Sequence, residues 1–218
     1  MNRRILFKLT TRERPERALQ CLDAFYSKMS INPNYLTRVT LDTDDKSCNN
    51  TDFLSKLVEY PKLSYYLGFS KNKVDAINRD VKDCPWDILI NISDDQIFHT
   101  ENFDQIIREQ FQDTLDQVLH VPDNHNPELL TMSIIGRDYY NRDGYVYHPS
   151  YVGLYCDNEA QQVANLRGKL VKLNQNLFNH NHPNYGIVER DDQYKRYDHW
   201  EGMDKRNFEK RLRNNFGL

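Results

Sequence analysis

Short apolar runs alternate with amphipathic stretches over the first 96 residues of the chain. Runs rich in apolar and aromatic residues predict strands, and they lie at 4–9, 38–42, 63–67 and 87–92. Between these runs apolar residues recur at three- and four-residue spacing, as in Ala18, Leu22 and Phe25, which predicts helices. The predicted helices begin at Pro15 and cover 51–60 and 71–81. This alternation is typical of an α/β fold, and we expect a single Rossmann-like, mainly parallel sheet flanked by helices.

The pattern becomes less regular after residue 120. The apolar run 129–135 predicts one more core strand, and 157–168 has helical spacing. Residues 204–213 predict a basic helix that covers the sheet or docks on an acidic partner. An aromatic segment, 139–148, either packs on the core or provides a platform on which a sugar stacks. With no internal repeat or linker, the 218 residues are expected to form one domain.

Composition excludes several classes of protein. The 29 basic and 32 acidic residues leave a formal charge of −3, which argues against nonspecific binding along nucleic acid. The four cysteines are far apart and form no Cys-x-x-Cys pair, and no apolar leader precedes the first predicted strand, so we expect a cytoplasmic protein. No apolar run approaches the roughly 20 residues that span a bilayer, so no integral membrane segment is predicted.

Two adjacent carboxylates mark the end of the fourth predicted strand. Asp94 and Asp95 directly follow the apolar run 88–92, where burial would remove their hydration and bring like charges together. A divalent cation between them would relieve both costs, so a metal site is the leading hypothesis. The alternative is that Asp95 caps the next turn and Asp94 is solvated.

Four polar motifs follow one another at the predicted strand ends: Thr10–Pro15, Asp42–Asp45, Gly68–Lys73 and Ser93–Asp95. This order resembles that of nucleotide-sugar glycosyltransferases of the A-type fold, most closely the family 2-like enzymes. The similarity extends over most of residues 3–200, and the small size resembles that of compact bacterial or phage-encoded transferases. The resemblance implies a nucleotide-binding half over 1–96, an acceptor-side half over 97–200 and a C-terminal basic helix or tail over 201–218.

The resemblance also implies roles for the loop residues. In that family the first loop and the acidic end of the second strand hold the nucleobase and ribose, while the Asp-x-Asp-like motif binds the ribose and a divalent metal. The nucleotide-sugar-binding residues implied for this chain are Thr11, Arg12, Arg14, Asp42, Asp44, Lys73 and Asp94. The residue types alone also allow solvated loop arginines, turn-forming aspartates and a lysine on a helix surface.

The implied cofactor is Mn2+ or Mg2+, because hard oxygen ligands suit both ions. Asp95 is the predicted direct ligand. A downstream histidine often completes the site in this fold, and His180 and His182 would point the same way on an extended segment. His182 is preferred, and a polar surface loop is the alternative. The motif reads Asp-Asp-Gln, so a second carboxylate ligand is missing and Gln96 is a candidate for contact with the sugar.

The implied reaction moves a sugar from a nucleoside diphosphate, with UDP favoured, to a hydroxyl acceptor. Inversion at the sugar requires a carboxylate that takes the acceptor's proton from across the ring. Asp157 is the first candidate for this base and Glu159 the second, although Asp157 would also make a good N-cap for the helix that it precedes. Residues 190–194 belong either to a lid that closes over the donor or to a solvated helix start.

Two other functions are compatible with the scaffold. A sugar-phosphate nucleotidyltransferase is disfavoured because no glycine-rich phosphate loop follows the first strand. A non-catalytic nucleotide or carbohydrate binder is disfavoured because Asp94, Asp95, Asp157 and His182 are all present. The predicted partners are a nucleoside-diphosphate sugar and a glycan or other hydroxyl acceptor. A DNA acceptor would need a basic path, for which the Lys and Arg residues of 205–213 are the only concentrated material.

Overall fold

Seven strands form one mixed, mostly parallel sheet in the computed structural model, which describes residues 2–218. The strand order is β3-β2-β1-β4-β7-β6-β8, and β5 pairs with β9 in a separate ribbon. The strands are β1 Ile5–Thr10, β2 Tyr35–Asp42, β3 Leu63–Gly68, β4 Ile88–Ser93, β5 Gln96–Phe98, β6 Val118–His120, β7 Ile134–Gly136, β8 Leu170–Lys172 and β9 Phe178–His180. The predicted fold class, an α/β protein with a Rossmann-like sheet, is confirmed.

Helices cover both faces of the sheet, which explains why β1 and β4 read as continuous apolar runs. The helices are α1 Pro15–Lys28, α2 Thr51–Leu57, α3 Lys73–Asn78, α4 Phe103–Gln110, α5 Arg137–Asp143, α6 Cys156–Leu166, α7 Asp192–Asp198 and α8 Glu201–Arg213. Short 3-10 turns occupy Pro183–Tyr185 and Asn215–Gly217. None of the helices between residues 2 and 218 is long and apolar enough to cross a bilayer.

The first four strands run parallel to one another in the order β3-β2-β1-β4. Their carboxyl ends therefore meet at one edge of the sheet, where the strand register places Thr10 level with Thr40 and Ser93, and Asp42 level with Gly68. Strand β7 then runs antiparallel to both β4 and β6. The polar loops of the first 96 residues consequently converge at the place where ligands bind in open α/β sheets.

In the second half, the structure corrects one element prediction and decides between the two alternatives for the aromatic segment. Only Ile134–Gly136 forms a strand within the apolar run that begins at residue 129. The preceding backbone bonds to side chains instead, since Gln161 accepts from the Leu130 amide and the Thr131 carbonyl accepts from Gln96. The aromatic segment 139–148 begins inside α5, and its Tyr residues at 139, 140 and 147 are buried in the core, so it forms no exposed platform.

Candidate active site

A cleft of about 700 Å³ opens above the carboxyl ends of β1, β2 and β4. Its walls come from the loops after these strands, from the start of α3, from the start of α6 and from α7. The cleft is lined by all but two of the candidate site residues that the sequence singled out: Thr11, Arg12, Arg14, Asp42, Asp44, Lys73, Asp94, Asp95, Asp157, His180 and His182. The exceptions are Gln96 and Glu159.

The β2 end of the cleft presents an arginine held between two carboxylates. Arg12 donates to Asp42 at 3.1 Å and to both oxygens of Asp44 at 2.7 and 2.9 Å. The hydrogen bond to Asp44 is the main reason that the pKa of Arg12 is raised above its ordinary value. The second oxygen of Asp42 is buried and has no hydrogen-bond partner within residues 2–218. A buried acceptor without a donor favours a ligand group with an N–H or O–H, such as a base imide or a ribose hydroxyl.

Asp94 is buried, and each of its oxygens accepts one hydrogen bond from the loop after β1, which leaves further acceptor capacity. One of its oxygens accepts from the Thr11 hydroxyl at 2.8 Å and the other from Arg14 at 3.1 Å. Burial raises the pKa of Asp94, an effect that the Arg14 guanidinium opposes. Arg14 also forms a two-pronged pair with Asp191 at 2.6 and 2.8 Å. The loop after β1 is thereby joined to the segment that starts α7.

Asp95 has one engaged oxygen and one unpartnered oxygen. Its Oδ2 accepts from the Tyr194 hydroxyl at 2.8 Å and lies 3.6 Å from Nε2 of His180. Its Oδ1 is buried and lacks a hydrogen-bond partner in the described part of the chain. Burial alone would raise the pKa of Asp95, but the His180 bond and charge and the Lys73 charge lower it, so this carboxylate stays ionised.

A second carboxylate, Asp123, orients His180. Nδ1 of His180 lies 3.2 Å from Oδ2 of Asp123, and Nε2 faces Asp95. Burial lowers the pKa of His180, but the hydrogen bonds to the two carboxylates outweigh it and raise the pKa to about 9. The β5–β9 ribbon brings the two regions together, because Gln96 pairs with His180 across it. Sequence reasoning missed Asp123, which lies 57 residues from its partner.

His182 differs from His180 in the hydrogen bonds that its ring nitrogens make. Its Nδ1 accepts the backbone N–H of Asn184 at 3.3 Å, and burial lowers its pKa to about 4. A neutral imidazole whose Nδ1 accepts a hydrogen bond carries its proton on Nε2, so that nitrogen has no lone pair for a metal. His180 has the opposite arrangement, with Nδ1 directed at the Asp123 carboxylate and Nε2 toward Asp95. With a pKa of about 9 it carries protons on both nitrogens, so a metal that binds Nε2 displaces the proton there and leaves the Nδ1 proton hydrogen-bonded to Asp123. That arrangement is typical of a metal-binding histidine.

The residues present fit a divalent cation bound jointly by protein and ligand. Among residues 2–218 no group of three or more His, Cys, Asp or Glu side chains is arranged as a complete metal site. The unpartnered Oδ1 of Asp95, and Nε2 of His180 once a cation displaces its proton, are two donors of the types that Mn2+ accepts. Cations of this class commonly take one or two protein ligands and complete their coordination with phosphate oxygens and water.

Asp157 lies at the second position of α6 and faces the cleft. The helix begins one residue earlier than predicted, so Tyr155 and not Asp157 is its N-cap residue. Burial raises the pKa of Asp157, and the Asn158 amide and Lys73 only partly oppose this. A carboxylate with a raised pKa is better suited to accept a proton than a solvated one.

Lys73 is the cation between the two parts of the cleft. It is the first residue of α3, whose N-cap Asn72 accepts from the Asp75 amide at 2.9 Å. Burial lowers the pKa of Lys73, but the charges of Asp95 and Asp157 are among those that outweigh it and raise the pKa. A half-buried ammonium in this place favours an anionic ligand such as a diphosphate.

Two sequence candidates have structural roles instead. Glu159 is buried away from the cleft and accepts from Arg211 at 2.7 and 2.8 Å and from the Tyr151 hydroxyl at 2.7 Å. Gln96 is also buried, and its amide bonds to the backbone of Ser93 and Thr131. Neither side chain is free to contact a sugar or an acceptor, because its polar atoms already have protein partners.

Helix α7 covers the acidic centre of the cleft. Asp191 caps the helix by accepting from the Tyr194 amide at 3.2 Å. The guanidinium carbon of Arg14 lies 4.1 Å from the centroid of the Tyr194 ring. Gln193 and Arg196 both donate to Glu13 in the loop after β1. Of the two readings of residues 190–194, the structure shows a helix start that packs over the cleft.

Known protein structures resemble this chain in fold, although not in sequence. No protein-family model and no curated protein sequence matches the chain. The mannosyltransferase PcManGT from Pyrobaculum calidifontis, solved with GDP-Man and Mn2+, superposes with a TM-score of 0.64 at 12% identity, over 78% of this chain and 55% of that one. TarS 1–349 from S. aureus superposes with a TM-score of 0.63 at 12% identity, over 84% of this chain and 63% of that one.

A third structure extends the same likeness. Glucosyl-3-phosphoglycerate synthase from Mycobacterium tuberculosis, solved with Mn2+, UDP and phosphoglyceric acid, superposes with a TM-score of 0.59 at 12% identity, over 85% of this chain and 73% of that one. The chain thus has the A-type glycosyltransferase fold. It spans less than two thirds of the length of the first two proteins.

Proposed function

We propose that this protein is a metal-dependent glycosyltransferase that moves a sugar from a nucleoside diphosphate, with UDP favoured, to a hydroxyl acceptor with inversion. The observation that carries the proposal is the composition of one cleft. In the part of the chain that the structure describes, four groups line the cleft: an Asp42 oxygen without a hydrogen-bond donor, an unpartnered Asp95 oxygen, the half-buried cations Arg14 and Lys73, and the Asp157 carboxylate with its raised pKa. The glycosyltransferases that share the fold support the same reaction class.

The loops after β1 and β2 would bind the nucleoside. Asp42 offers its unpartnered oxygen to a base or ribose donor, and Arg12 holds this carboxylate in place. Thr11 and Arg14 fix Asp94, which then accepts from a ribose hydroxyl. Arg14 and Lys73 would balance the charge of the diphosphate.

Transfer requires one bond to form as another breaks. The Asp157 carboxylate takes the proton of the acceptor hydroxyl, and the freed oxygen forms a bond to the anomeric carbon of the sugar. The bond from that carbon to the phosphate oxygen breaks, and its electron pair leaves with the nucleoside diphosphate. Lys73 and Arg14 face the charge that develops on this leaving group.

Asp95 and His180 would hold the cation, in preference to His182 for the tautomer reason given above. A divalent ion bound there stabilises negative charge on the departing diphosphate. Tyr194 and Asp123 keep the two ligands in place, since each hydrogen-bonds the side chain beside it.

The first test is a binding screen that does not depend on knowing the acceptor. Thermal unfolding is measured with UDP, UDP-glucose, UDP-GlcNAc and GDP-mannose, each with and without Mn2+. A nucleotide that binds only the folded state raises the melting temperature. We expect UDP compounds to do so in the presence of Mn2+, and Asp95→Asn to abolish the Mn2+-dependent part.

The matched control is Asp192→Asn, which removes an exposed carboxylate of α7 that pairs with Lys195. It should leave the shift unchanged. Release of UDP from the stabilising sugar nucleotide then tests transfer, with water as the acceptor. Formation of pyrophosphate from a nucleoside triphosphate and a sugar phosphate, without UDP release, would instead identify a nucleotidyltransferase.

A further inference from the structure

A buried carboxylate of α8 accepts hydrogen bonds from three successive backbone amides. Asp204 has no exposed surface, and it accepts from the amides of Val152, Gly153 and Leu154 at 3.0, 2.9 and 2.9 Å. Consecutive N–H groups that point at one anion form a concave nest, which fixes the conformation of the backbone that provides them. These amides lie just before Cys156 and Asp157, the first two residues of α6.

Helix α8 contacts the same segment at two further places. The Asn207 amide donates to the Ser150 hydroxyl at 2.8 Å, and Arg211 pairs with Glu159. Residues 150–159, here called the base segment, are therefore held at both ends and in the middle by one helix. The helix lies far away in sequence, since about fifty residues separate each pair of partners.

The other side of the base segment packs tightly against the cleft. A Cβ atom on Gly153 would lie 2.7 Å from the Tyr197 ring and 3.5 Å from the Lys73 side chain. The Val152 carbonyl accepts from the Val74 amide at 3.3 Å, next to Lys73. Tyr155, which precedes α6, has a φ of 60°, a left-handed conformation that a non-glycine residue keeps only when its neighbours hold it.

We propose that Asp204 is a positioning residue, which holds the base segment so that the Asp157 carboxylate meets the acceptor hydroxyl in the cleft. This inference rests on the proposed function, in which Asp157 is the base. The C-terminal helix α8, which the sequence predicts to be a basic cover or a docking surface, would then support the position of the catalytic base. Asp204 acts through the amides of the base segment, and a loss of this hold displaces Asp157 relative to Lys73 and the bound donor.

The central variant is Asp204→Asn, which keeps the shape of the side chain and removes its charge and one acceptor. Glu209→Gln is the matched control, because Glu209 is exposed on the same helix. UDP release from UDP-glucose and UDP-GlcNAc is measured with Mn2+, well below the unfolding temperature. We expect kcat to fall by roughly 10- to 100-fold, because small displacements of a catalytic group have effects of this size. The KM for the sugar nucleotide and the affinity for UDP with Mn2+ should change less than about twofold.

A double variant separates positioning from general stability. If Asp204 acts through Asp157, Asp204→Asn causes no further loss of kcat in a chain that already carries Asp157→Asn. Hydrogen exchange of the amides 152–154 should be faster in Asp204→Asn, which reports the released segment without reference to activity. If Asp204→Asn does not fold, Asn207→Ala provides a milder release of the same segment, with an expected drop in kcat of about two- to fivefold.

The possible outcomes are distinct. Unchanged kcat in Asp204→Asn with faster exchange would show that the contact is only structural and would overturn the inference. Additive losses in the double variant, or a loss of UDP affinity equal to the loss of kcat, would overturn it as well. A wild-type protein that binds UDP and Mn2+ but releases no UDP from any of the sugar nucleotides would overturn the proposed function, and this inference with it.

Discussion

The two halves of the cleft are built from different kinds of contact. In the half made by residues 1–96, the polar loops follow parallel strands, and the strand register brings the loops together. In the other half, Asp123 and His180 come from separate segments and contact each other, and Asp157 follows backbone amides that Asp204 of α8 binds. The first half can be derived from local pattern, whereas the second depends on partners distant in sequence.

The largest expected effect is a loss of kcat on substitution of Asp157, which lies in the second half of the cleft. Asp157→Asn should lower kcat for UDP release by about 10² to 10⁴, since a general base contributes this much. Affinity for UDP with Mn2+, measured by calorimetry, should stay unchanged because the nucleoside groups lie in the first half. Retention of full turnover would remove Asp157 from the mechanism.

The two histidines provide the next largest contrast. His180→Ala should weaken Mn2+ binding in the presence of UDP by about 10- to 100-fold, because it removes a candidate ligand that Asp123 orients. His182→Ala should change it much less, because its Nδ1 accepts from the Asn184 amide. Manganese titration followed by electron paramagnetic resonance measures both. The reverse order of effects would restore His182 as the ligand.

A substitution of Glu159, two residues from the proposed base, tests whether this carboxylate stabilises the fold or takes part in catalysis. Glu159→Gln should lower the free energy of unfolding by about 2 kcal/mol, since it leaves the Arg211 guanidinium without its carboxylate partner. Its kcat should fall far less than that of Asp157→Asn. Urea unfolding and UDP release are the two measurements, and a selective loss of kcat at unchanged stability would assign the base to Glu159.

The last prediction has the smallest effect per pH unit and concerns a buried lysine in the half made by residues 1–96. Burial lowers the pKa of Lys8, on β1, to about 7. Between that value and the ordinary 10.5, the unfolded chain binds more protons than the folded chain, so this lysine makes stability rise with pH. Lys8→Met lacks this dependence, and its stability relative to the wild type should decline by about 1 kcal/mol per pH unit over that window.

Urea unfolding of both proteins at several pH values measures the difference, and the shared cysteine and tyrosine titrations cancel in it. A relative stability that does not vary between these pH values would show that Lys8 keeps an ordinary pKa in the folded state.

Much of the fold follows from the sequence because periodicity is a local property. The four apolar runs predicted β1 to β4 within a few residues, and Pro15 marks the start of α1. The residues to which the family resemblance assigns nucleotide binding all line the cleft. The run 129–135 misled in its first part, because two glutamine side chains bond to the backbone of Leu130 and Thr131, and the strand begins only at Ile134.

The sequence by itself determined which loops face the ligand edge, since parallel strands with buried faces can place their carboxyl ends in only one way. The tertiary structure alone decided that His180 and not His182 faces Asp95, that Glu159 is bound by Arg211, and that Asp204 holds the base segment. These contacts join residues that are tens of residues apart. No local spacing encodes such a contact, because it forms only when packed helices and strands bring the two side chains within hydrogen-bond distance.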